Sequence, residues 1–129
     1  MIGGCGGSDG QQGTPRTLPP CAREAKEIPR PKALPGKFPV PPGTIFAKAE
    51  KPFPQQHIFT GVSPGSLEST RSFYEAELEE AGYQQGAGES EPGEVEALFT
   101  GEGVRGGWRA NELPECDGAV RLTLVIVRS

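Results

Sequence analysis

Apart from carboxylates, the chain offers few groups that could do chemistry. It has one histidine, His57, three cysteines, Cys5, Cys21 and Cys116, and 17 acids. A lone histidine with no cysteine at ligand spacing gives no metal site. A Ser-His-Asp set would need His57 with Asp117 or Asp9 and a serine such as Ser63. Ser63 suits a helix cap instead, and no nucleophile-elbow motif is present. Paired glutamates could in principle cleave glycosides. However, Glu75, Glu77, Glu79 and Glu80 fall on or near the solvent side of a helical pattern, where carboxylates are ordinary. Gly101-Glu102-Gly103 and Gly106-Gly107 do not precede a helix, which excludes a phosphate loop of the usual form. The residues therefore assign no catalytic role, no metal and no cofactor, and the chain reads as a non-enzyme.

The cysteines say more. Ile2-Gly3-Gly4-Cys5 resembles the end of a bacterial lipoprotein signal: an aliphatic residue, two small residues, then the cysteine that takes the lipid. The Gly/Ser/Gln run at 6–13 would serve as a spacer from a membrane. Only Met1 and Ile2 precede the glycines, so either the basic and apolar parts of a signal lie upstream or Cys5 is an incidental thiol in a glycine-rich end. An odd cysteine count in an exported protein asks for one thiol with a separate fate. Lipidation of Cys5 supplies it and leaves Cys21 and Cys116 to form a disulfide. Both sit in polar, loop-like contexts, unlike a free structural cysteine. The alternative is a cytoplasmic protein with unpaired thiols.

The elements that position these residues centre on one helix within 62–83. Ser63 is expected at its N-cap, Pro64 at its first position, and Val62 with Leu67 as a hydrophobic staple. Leu67, Thr70, Tyr74, Leu78 and Ala81 share a stripe widened by Phe73, and Gly82 takes the left-handed stop. Strand patterns precede it at 44–50 and 57–62. Others follow at 83–87, around Val95, Ala97 and Phe99, at 104–110, and along Val120, Leu122, Leu124 and Ile126. Short turns between the later strands imply antiparallel pairing. The fold class is α+β: a two-layer sandwich of one main helix on a mostly antiparallel sheet. Arg105, Arg109, Arg121 and Thr123 are expected with some apolar residues on its other, partly wet face, with a bulge or close approach at Gly106 and Gly107.

The chain divides into a disordered glycine-rich tether at 1–16, a proline-rich arm at 17–42 and the α+β domain at 43–129. Apolar residues before Gly43 are scattered, so no core is expected there. Residues 22–27 could form a turn or two of helix, and 29–42 should be extended. Charge is uneven: six basic residues against three acids up to Gly43, then seven against fourteen. Such an acidic domain repels phosphate, which argues against nucleic acid as a partner.

Phe73-Tyr74, Leu78 and Gly82-Tyr83, preceded by Pro-Gly-Ser, resemble a pattern of small secreted lipoprotein domains of high-GC bacteria. There, a Phe-Tyr helix ends in Gly-Trp or Gly-Tyr and an antiparallel sheet follows. The resemblance implies a compartment and a fold, with no activity and no catalytic residue. The expectation is a monomeric, non-catalytic domain of the cell envelope, lipid-anchored through Cys5 to the outer side of the membrane, with a protein or cell-wall partner. Two other classes stay open: a small glutamate-dependent hydrolase, and a cytoplasmic acidic domain that binds a protein.

Overall fold

The computed structural model describes residues 17–22 and 26–128. Cys5, the expected tether at 1–16 and part of the expected helical run at 22–27 lie outside them.

Among the described residues, six strands and one helix follow a short 3-10 turn, Pro20–Ala22. In chain order they are β1 Ile45–Phe53, β2 Gln56–Pro64, α1 Leu67–Glu80, β3 Gln84–Glu91, β4 Glu94–Gly101, β5 Val104–Glu112 and β6 Ala119–Arg128. The strands form a single sheet in the order β1-β2-β6-β5-β4-β3, and every neighbouring pair is antiparallel. Turn chemistry sets the hairpins. Pro92 and Gly93, with φ 81°, join β3 to β4. Glu102 and Gly103, at φ 54° and 81°, make the positive-φ pair that matches strand twist between β4 and β5. Pro41-Pro42-Gly43 turns as expected, with the Thr44 amide donating to the Pro41 carbonyl at 3.2 Å and Gly43 at φ 86°.

The helix begins later than the sequence suggests. Its N-cap is Ser66, not Ser63. The Ser66 hydroxyl accepts the Ser69 amide at 3.0 Å, and the Ser69 hydroxyl accepts the Ser66 amide at 2.8 Å. Sheet pairing decides this. Pro64 stays in β2 opposite Ala119, and the next amide, of Gly65, donates to the Gly118 carbonyl at 2.8 Å. Ser63 is buried and shares a 2.6 Å hydrogen bond with the Thr44 hydroxyl. The C-terminal stop falls at Gly82, φ 96°. There the Tyr83 amide reaches the Leu78 carbonyl at 2.9 Å and the Gly82 amide reaches Glu79 at 3.0 Å.

One sheet face is closed. Phe59, Val95, Ala97, Phe99, Trp108, Ala110, Leu122, Leu124 and Ile126 form its core with Tyr74 and Leu78 of α1. Tyr74 stacks on Trp108 with centroids 4.9 Å apart. The proline-rich arm belongs to this core, against the expectation that nothing before Gly43 would enter one. Residues 29–42 are not uniformly extended. The Leu34 amide returns to the Pro31 carbonyl at 3.2 Å and the Phe38 amide to Pro35 at 3.0 Å. These two turns aim Leu34 and Phe38 the same way, into the aromatic cluster. Arg30 Nη2 donates to the Pro35 and Phe38 carbonyls, at 2.8 and 3.1 Å, and Arg128 Nη2 to the Ala33 carbonyl at 2.8 Å.

The beginning of the arm lies on the opposite face. Leu18 and Ala22 pack with Cys116 and Ala119, and with Ile45, Val62 and Leu113 at their margin. By strand alternation Ala119, Val62 and Ile45 face away from α1. Between these two anchor points the Ile28 amide pairs with the Phe46 carbonyl at 2.7 Å. The arm thus wraps around the free edge of β1, from the open face to the closed one.

Candidate functional site

The open face of the sheet carries the candidate site. Three aligned rows cross it. Ile58, Val125, Gly107 and Leu98 form the central row, and Gln56, Val127, Arg105 and Thr100 lie on one side of it. Thr60, Thr123, Arg109 and Glu96 lie on the other. Over β4, β5 and β6 they enclose a trough of about 600 Å³, reaching Ala87, Gly88 and Glu89 on β3.

Two glycines shape the floor in different ways. Gly107 points into the trough, and a Cβ there would lie 3.1 Å from the Ala97 carbonyl oxygen and 3.4 Å from Leu98 Cδ2. Gly106 points to the core, where a Cβ would collide with the Val125 carbonyl and press on Phe99. The register of β5 with both neighbours runs unbroken. Of the two sequence alternatives, close approach is therefore the one found, and no bulge occurs there.

The rim charges are unequal in their engagement. Arg109 Nε lies 2.9 Å from Glu96 Oε1 and 3.5 Å from Glu94 Oε2. Asn111 Nδ2 also donates to Glu94, at 3.1 Å. The Arg105 guanidinium has no ion-pair or hydrogen-bond partner among the described residues. Leu98 is 59% exposed, one of two large apolar side chains so open among the described residues; the other, Phe53, lies at the end of β1.

Cys21 and Cys116 stand at disulfide distance, with sulfurs 2.09 Å and Cα atoms 5.7 Å apart. His57 is half-buried on β2, stacked on Phe59 at 6.0 Å. Its pKa is lowered, first by desolvation and then by the Lys51 and Arg128 charges. Ser63 is a buried partner of Thr44 and makes no hydrogen bond to His57. Glu75, Glu77, Glu79 and Glu80 are exposed on α1, and Glu75 lies 3.6 Å from Arg71. Among the described residues no three His, Cys, Asp or Glu side chains gather as metal ligands, and no helix is long and apolar enough to cross a membrane.

Beneath α1, the Tyr74 and Tyr83 hydroxyls are buried with no hydrogen-bond partner among the described residues. Burial raises both phenol pKa values, and the Glu102 charge adds to the rise at Tyr83. Both remain protonated within the packed ring cluster of Phe38, Phe99 and Trp108.

Sequence reasoning anticipated arginines and some apolar residues on the open face but did not place its apolar strip. The signal was parity: Leu98, Val125 and Val127 are apolar residues at outward positions of strands whose inward positions are apolar too. No family model, no curated protein and no solved structure matches the chain.

Proposed function

We propose that this is a non-catalytic cell-envelope domain, held to the membrane by lipid on Cys5, that binds a ligand or partner on its open sheet face. In this reading it is a two-layer α+β sandwich and a monomer. Residues 1–16 are its tether, 17–42 its arm and 43–129 its main body. Nucleic acid is not a partner, because the acidic surplus after Gly43 opposes phosphate.

The observation that carries the reading is the Cys21–Cys116 pair at a Cα separation of 5.7 Å. A bond there belongs to an oxidising compartment, and it leaves Cys5 as the odd cysteine beside two small residues. The trough supports a binding role over a glutamate-dependent hydrolase. Of its two carboxylates, Glu89 is unpaired among the described residues but Glu96, with neighbouring Glu94, is tied up by Arg109, whereas hydrolysis needs two carboxyl groups free to face a substrate.

Mass spectrometry of the protein made in its own host tests the reading. The expected result is a lipid mass on Cys5 and no free thiol at Cys21 or Cys116. Unmodified Cys5 together with three reactive thiols in the native protein would overturn it in favour of a cytoplasmic interaction domain.

A further inference from the structure

We infer that the trough on the open face binds an amphiphile with a single anionic head, a free medium-chain carboxylate, with the head at Arg105. This rests on the proposed binding role of that face and names the ligand class.

The apolar part of the site is a strip one side chain wide. Leu98, Gly107 and Val125 lie side by side across three strands, with Val127 beside them. Gly107 adds no side chain between Leu98 and Val125, and Leu98 Cδ2 comes within 3.4 Å of where its Cβ would be, so an alkyl chain can lie low over Gly107 against the Leu98 side chain. Arg105 and Arg109 flank the strip on its two sides, at the two ends of the β5 stretch that crosses it, four residues apart or about 13 Å along the strand.

The ends are electrostatically opposite. At the Arg109 end the guanidinium is already neutralised by Glu96 at 2.9 Å and Glu94 at 3.5 Å, and Glu89 adds a further carboxylate to the rim. An anion is repelled there. At the other end Arg105 has no partner among the described residues and stands beside Thr100, whose hydroxyl can add a hydrogen bond. A guanidinium that no protein carboxylate engages can take a ligand carboxylate through two parallel hydrogen bonds. This polarity fixes orientation, with the head at Arg105 and the chain turning over Gly107 along the apolar row toward Val125 and Ile58. A cationic head would face the uncompensated Arg105, and a neutral one could accept a hydrogen bond from it but without the charge pairing of a carboxylate.

The test uses the full oxidised chain, titrated with decanoate, decanol and decyltrimethylammonium below their micelle concentrations. Calorimetry gives affinity and amide NMR gives location. Decanoate should saturate a single site and shift the Leu98, Gly107 and Val125 amides. Arg105→Glu should weaken decanoate binding by roughly tenfold or more, the scale of one charge-assisted pair, and reverse the preference toward the cation. Leu98→Asp should abolish binding of all three. Both side chains are exposed, so these variants should melt like the parent, and Arg71→Glu on α1 is the charge-matched control. Decanol binding as tightly as decanoate, or an Arg105→Glu variant with unchanged affinity, overturns the anionic assignment while leaving the open face as a binding surface. No saturable binding, or shifts confined to other residues, overturns the inference; the tether on Cys5 is read separately by mass.

Discussion

Phe38→Ala tests whether the proline-rich arm is structural. Phe38 is 2% exposed, and its ring centroid lies 4.9 Å from Phe99, 5.3 Å from Tyr83 and 6.1 Å from Tyr74. Truncating a buried phenylalanine costs about 3–5 kcal/mol through lost transfer energy and the cavity left behind. The site collapses poorly, because Tyr83 is fixed by the helix stop and Phe99 by two strand neighbours. The loss should therefore fall near the middle of that range or above, about 4 kcal/mol. With a urea dependence of about 2 kcal/mol per molar, the unfolding midpoint should drop by roughly 2 M with the slope unchanged. Phe53→Ala, at a side chain 65% exposed, should stay within about 0.5 kcal/mol. Urea titration of the three oxidised proteins gives the answer. If Phe38→Ala costs less than about 1 kcal/mol, or no more than Phe53→Ala, the arm does not pack as described.

Leu78→Ala should cost about 2–5 kcal/mol in the same assay while exposed Glu77→Ala changes little; the reverse ranking would put the wrong face of α1 against the sheet. Ser66→Ala should lose about 1 kcal/mol by removing the N-cap, and a neutral result would mean that another residue caps the helix. His57 is held below its ordinary value of 6.5, so the unfolded chain binds its proton first and this residue's contribution to stability falls as pH drops through that value. Urea midpoints measured near pH 7.5 and near pH 5.5 should therefore converge in His57→Gln, and an unchanged pH slope would exclude His57 as the cause.

Elements with a local cause were readable in the sequence. The stripe of Thr70, Tyr74 and Leu78 follows from helical spacing, and Gly82 from the need for positive φ at the stop. Alternation gave the inward sets of β4, β5 and β6. The N-cap was misread because Ser63-Pro64 and Ser66 with Ser69 are both valid cap patterns. What chose between them was the pairing of Pro64 with Ala119, more than fifty residues away. Leu34 and Phe38 looked stranded among prolines because a core was sought in regular periods. Hydrogen-bonded turns at Pro31 and Pro35 present them together instead. The trough was illegible for the same reason as the cap: Leu98, Gly107 and Val125 become neighbours only through the register of three strands.

The two edges of the sheet differ in how they avoid pairing with other chains, and that difference leads to the last prediction. β3 is exposed, but it carries Glu89 and Glu91, and its pairing slips between Gln85 and Gly88, which breaks up a flat template for another strand. β1 is covered instead, by the arm crossing at Ile28 between Phe38 on one face and Cys21 on the other. The Cys21–Cys116 bond spans 95 residues, for which chain entropy gives about 4–5 kcal/mol as an upper figure. Replacing both cysteines by serine should therefore lower stability by up to that amount and free the first part of the arm, while the Phe38 anchor holds the remainder. The Ile28 amide, which pairs with the Phe46 carbonyl at 2.7 Å, should lose hydrogen-exchange protection before the β5 and β6 amides do. With the β1 edge uncovered, the double variant should also associate with rising concentration, whereas the oxidised parent stays monomeric in sedimentation. If Ile28 keeps its protection and the variant remains monomeric, the bond is not what holds the arm across β1, and the Phe38 side of the clamp suffices.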